Sequence, residues 1–163
     1  MKTAQRKAAR SKHARRHSRD DLVATNPIAQ AMVRQQIEGQ IRTLRTRAGI
    51  QAYMGGDVAM MAHECGRLVY VVAHAARLHG LHESPEARIL AGTASALGDI
   101  VAIPATLETN RPAVVSGLAA CERLLPQLHT WALTAGSLEL DRILSQRDFT
   151  TGDVRAALCG DMT

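Results

Sequence analysis

The stretch GGDVAMMAHECGRLVYVVAHAARLHG, from Gly55 to Gly80, decides how this chain folds. Gly55 and Gly56 break whatever precedes them, and Asp57 is a residue type that caps a helix start. From Val58 to Leu78 the apolar residues Met60, Met61, Leu68, Val69, Val71 and Val72 cover most of a helical circumference. A helix apolar on nearly every side belongs in the centre of a domain, with other helices packed around it. Gly80 marks its end, since glycine adopts the left-handed conformation that closes many helices.

Similar start and stop signals recur on both sides. Upstream, Asn26-Pro27 reads as a cap followed by proline at the first helical position. Val33, Ile37, Ile41, Leu44 and Ala48 then repeat at helical spacing, predicting a helix from Pro27 to Ala48 that ends near Gly49. Downstream, Ser84-Pro85-Glu86 opens a helix that runs to about Ile103 and stops at Pro104. Asn110-Arg111-Pro112 opens a segment spanning Val114 to Trp131 or beyond, with Pro126 expected to kink it. Gly136-Ser137 separates that segment from Leu138 to Ser145. Thr150 and Asp153 have capping-box spacing, which predicts a last short helix over Asp153 to Leu158. No segment alternates apolar and polar residues long enough for a strand. The expectation is an all-α fold: a bundle of four main helices plus a short C-terminal helix, preceded by a basic N-terminal arm.

That arm is electrically unlike the remainder. Residues 1–19 contain Lys2, Arg6, Lys7, Arg10, Lys12, Arg15, Arg16 and Arg19 and no acid. The other 144 residues hold 12 arginines against 15 acids, so the whole-chain charge of +5 describes neither part. The natural division is an arm over 1–19, disordered or helical when bound, and a helical domain over 20–163. A cationic run without acids meets polyanions by displacing their condensed counterions, and nucleic acid is the simplest such partner. Arginine grips two phosphate oxygens at once, whereas lysine acts as a point charge. Arg42 and Arg45 on the first helix extend the same basic surface. The alternative is that the arm enters an acidic protein surface. The chain would then be an inhibitor or adaptor, of phage or mobile-element type, that docks on a host protein or nucleoprotein complex.

Catalytic and metal signatures are wanting. His63, Glu64, Cys65 and His74 share the central helix, but His63 and His74 are separated by about 16 Å along its axis. His79 and His82 form the only local pair, and they need ligands from elsewhere in the chain. Cys65, Cys121 and Cys159 include no Cys-x-x-Cys and are expected as reduced thiols in a cytoplasmic setting. There is no phosphate-binding glycine loop and no Lys after Lys12. The sequence therefore reads as a non-enzymatic accessory or regulatory protein, without cofactor or metal, that contacts nucleic-acid phosphates through its arm. The longest uncharged apolar run, Leu68 to Ala76, is too short to span a bilayer, so no membrane partner is expected. The apolar central helix also allows a homo-oligomer. With only four aromatic residues, Tyr53, Tyr70, Trp131 and Phe149, the body is poor material for aromatic stacking on bases and is not expected to be a single-strand stacking platform.

Overall fold

The computed structural model describes residues 24–49 and 58–159. The basic run holding Lys2, Arg6, Lys7, Arg10, Lys12, Arg15, Arg16 and Arg19 lies outside these residues, as does the expected Asp57 cap. All regular structure among the described residues is helical. Six α-helices follow in order: α1 (Pro27–Gly49), α2 (Val58–Leu78), α3 (Pro85–Ala102), α4 (Leu107–Leu124), α5 (Thr130–Gln146) and α6 (Thr151–Cys159). Short 3-10 turns at Pro104–Thr106 and Leu125–Gln127 lead into α4 and out of it.

Three of the helix starts, those of α1, α3 and α6, obey the cap chemistry. The Asn26 side chain accepts from the Ile28 N–H at 2.9 Å and from Ala29 at 3.4 Å, satisfying donors that no helical carbonyl reaches. Ser84 Oγ accepts from the Ala87 N–H at 3.2 Å, with Pro85 at the first helical position. At α6 the Asp153 carboxylate accepts from the Thr150 N–H at 2.7 Å and the Thr150 hydroxyl at 3.0 Å, the reach-back half of the predicted box. Arg147 locks that carboxylate with a two-pronged guanidinium contact.

Helix α2 runs over the predicted span and touches each of the other five helices. Thirteen of its 21 residues are buried, among them Cys65, Val69, Tyr70 and Val72 with no exposed surface. By contrast α1 buries a stripe of Ile37, Ile41, Leu44 and Ala48, the spacing read from the sequence. Among the described residues, no helix is long and apolar enough to cross a membrane.

Two punctuation signals act differently from expectation. Pro126 sits inside the 3-10 turn Leu125–Gln127, and the segment expected to continue through Trp131 ends at Leu124. Gly136-Ser137 is not a break at all but lies within α5. A Cβ at Gly136 would stand 2.8 Å from the Val71 carbonyl oxygen, so glycine here lets α5 press against the α2 backbone. Gly117 does the same between α4 and α3, where a Cβ would fall 2.2 Å from Thr93 Oγ1. Helix α4 also begins five residues before Pro112. Both Pro112 and Glu108 are exposed there, so water can take over the carbonyl bond that proline cannot make.

Candidate functional site

One end of the bundle gathers the C-terminus of α2, the N-termini of α1 and α5, and the Leu125–Gln127 turn. Its geometry starts at Gly80, the one described residue with a left-handed backbone, φ 69°. Gly80 N–H bonds to the Arg77 carbonyl at 2.9 Å, and Leu81 N–H to the Ala76 carbonyl at 2.8 Å. These two bonds close α2 with a Schellman motif and hold His79 at the C-cap position, one residue past Leu78. His79 Nε2 accepts from the His129 N–H at 3.1 Å, which fixes the imidazole as the form protonated at Nδ1. His129 occupies the N-cap position of α5, so the His79 ring docks against the start of that helix.

The same turn is gripped from α1. Arg34 donates to the Leu125 carbonyl at 3.0 Å, to the Leu128 carbonyl at 3.1 Å and to Glu38 at 3.0 Å. Thr130 Oγ1 donates to Gln30 Oε1 at 3.2 Å, while Gln30 Nε2 donates to the Ala24 carbonyl. Gln30 therefore ties the chain at Ala24 to the start of α5. These contacts bring three rings together. The His79 and His129 centroids are 4.9 Å apart, and His79 and Trp131 are 5.7 Å apart. Trp131 keeps 47% of its surface exposed.

This cluster is not legible in the sequence, where spacing pairs His79 with His82. Its members are separated by 50 residues, and nothing local announces the contact. The available signal was Pro126: read as a stop, it would have made His129-Thr130 the start of a new helix, with Trp131 in its first turn.

The sequence-predicted arginines have various environments. Arg42 lies exposed on α1, with its Nε donating to the Glu38 carbonyl at 3.4 Å. Arg45 is ion-paired with Glu122 of α4, and Arg47 with Glu64 of α2 at 3.6 Å. Among the described residues, seven of the twelve body arginines meet a carboxylate in this way.

The interior polar groups are chemically quiet. Burial, reinforced by Glu64, pushes the Cys65 thiol up to about 12, and burial raises Cys121 as well, so neither is a thiolate at neutral pH. Burial also lowers the His74 pKa, Arg77 lowers it further, and Glu139 partly offsets both. Tyr70 Oη, His74 Nδ1 and Arg77 Nε are buried without a partner among the described residues. Among those residues, too, no three His, Cys, Asp or Glu side chains stand together as metal ligands. A groove of about 1410 Å³ runs between α1, α2 and α5, floored by Ile37, Leu44, Leu68 and Val71. Its lining charges balance in number, Arg47, Arg67 and Arg142 against Glu64, Glu139 and Asp141, so it favours neither sign of ligand. No protein-family model matches the chain, and neither a curated protein nor a solved structure matches it significantly.

Proposed function

We propose that the protein is a non-enzymatic accessory or regulatory factor that holds nucleic acid through the phosphates. The basic arm, residues 1–19, does the binding, and the helical domain over 20–163 carries it. The observation behind this reading is the set of eight basic residues in the first nineteen, with no acid among them. Ion pairing within the body supports it, because many body arginines have carboxylate partners whereas the arm brings none of its own. Lys2, Arg6, Lys7, Arg10, Lys12, Arg15, Arg16 and Arg19 are the phosphate contacts, with Arg42 and Arg45 in support. Arg42 is the better placed of those two, since Arg45 must leave Glu122 to reach a phosphate.

Affinity is then governed by salt. If about six phosphates are engaged, log K on duplex DNA falls against log salt with a slope of about −5. Binding isotherms across a salt series, for the full chain and for a chain starting at Asp20, test this. The shortened chain should lose most affinity and most of the slope. Equal binding with an unchanged slope would remove the arm from the mechanism.

A further inference from the structure

We infer that the exposed indole of Trp131, braced by the His79 ring that itself lies against His129, is a stacking site for an unpaired base of a single strand whose phosphates the arm holds. This inference rests on the phosphate-binding reading of the arm. Three observations on the molecule lead to it. The first is the ring cluster itself, with His79 lying 4.9 Å from His129 and 5.7 Å from Trp131. Four aromatic residues are too few to line a long channel, but one base needs only one large ring. The second is preorganisation. The His129 N–H holds the His79 ring, and the Gln30 and Arg34 contacts fix the turn that carries Trp131, so the indole is presented from a fixed support. A half-exposed Trp on such a support gains area on meeting a base and loses little freedom.

The third is where the arm begins. Arg19 precedes Ala24 by five residues in the chain. Even fully extended, those residues span at most about 18 Å. The Gln30 side chain bonds Ala24 on one side and Thr130 on the other, one residue from Trp131. The positive charge is therefore rooted at the end of the bundle that displays the indole. Phosphates on the arm and a base on Trp131 are within reach of one short strand. Duplex nucleic acid offers the same phosphates but keeps its bases stacked on each other, so single strands are the fitting partner.

Trp131 is the only tryptophan of the chain, which makes its fluorescence a direct reporter. The full chain is titrated with oligothymidylate, oligouridylate, a duplex of equal length and inorganic polyphosphate. Binding is followed separately, by anisotropy of a labelled probe for the nucleic acids and by calorimetry for polyphosphate. Both single strands should quench Trp131 in step with binding. Duplex and polyphosphate should bind without comparable quenching. Trp131→Ala should weaken single-strand binding about tenfold while leaving duplex binding in place, and Trp131→Phe should recover much of the loss. Circular dichroism melting checks that both variants fold. Single-strand binding with unchanged fluorescence, or equal quenching by polyphosphate, would overturn the stacking site and leave the arm reading standing. No binding to any of the four polyanions would overturn the arm reading and this inference with it.

Discussion

Helices α1 and α2 are almost equal in length, 23 and 21 residues, yet they differ in nearly every physical respect. Helix α2 is buried on most of its circumference and is contacted by every other helix. Helix α1 buries a single stripe and leaves Ile28 and Met32 mostly in solvent, 73% and 65% exposed. A helix enclosed by five neighbours has little surface to offer a partner, and substitutions in it are felt across the core. A helix lying along the rim contributes one face to stability and keeps another for contact. The candidate site follows this division: α2 reaches it only through its last residues, whereas α1 supplies Gln30, Arg34 and the covalent root of the arm.

Substitutions at the close helix contacts should break the contrast most strongly. Gly117→Ala places a methyl carbon within 2.7 Å of three Thr93 side-chain atoms, and Thr93 is itself buried and bonded to the Ile89 and Ala113 carbonyls. The expected loss is about 3 kcal/mol in denaturant melts, the upper part of the usual overpacking range. A neutral result would mean that α3 and α4 stand further apart than described.

The cap of α6 comes next. Asp153→Ala removes the acceptor for Thr150 and the Arg147 contact, and should cost about 1–2 kcal/mol. A separate pH signature accompanies this residue. Burial favours its protonated form, but the Arg147 and Thr150 bonds outweigh burial and hold the carboxyl below the ordinary range. Its contribution is thus present above the unfolded carboxylate pKa and lost as pH falls through the lower folded value. Acid titration of the native chain against Asp153→Asn should show the difference.

On the rim the sign reverses. Gly39 of α1 has nothing within 4 Å of where a Cβ would stand, so Gly39→Ala should stabilise by about 1 kcal/mol through helix propensity alone. Destabilisation there would show that the exposed side of α1 is covered.

The smallest effect belongs to His74, and it is read as a slope with pH. Burial and Arg77 depress its folded pKa, with Glu139 of α5 opposing them. The unfolded chain takes up the proton first, so stability is full above the ordinary value of 6.5 and declines as pH drops towards the folded value. Replacing His74 by Leu should flatten that segment of the stability–pH curve, as measured by thermal melts.

What could be read from the sequence divides along the same line. Asn26-Pro27 and Ser84-Pro85 announced their helices because a cap and a fixed proline φ act within four residues. The bounds of α2 were legible because burial on all sides leaves a composition that few other environments tolerate. Pro126 and Gly136 were misread for a shared reason: a breaker residue looks the same whether it ends a helix or lets one come close. Gly136 is resolved only by the Val71 backbone, which is 65 positions away in sequence and adjacent in space. The ring cluster belongs to the same class, since His79 and His129 meet only after α3 and α4 have been placed between them.

The tight seating of Gly117 on Thr93 has a consequence for how the chain assembles. Helices α3 and α4 are joined by only four residues, Ile103 to Thr106, and share the most extensive helix contact among the described residues. Short-range partners lose little loop entropy on meeting, so this hairpin is suited to form early and serve as the surface on which α2 condenses. In native-state amide exchange its interior protons should be among the last to open.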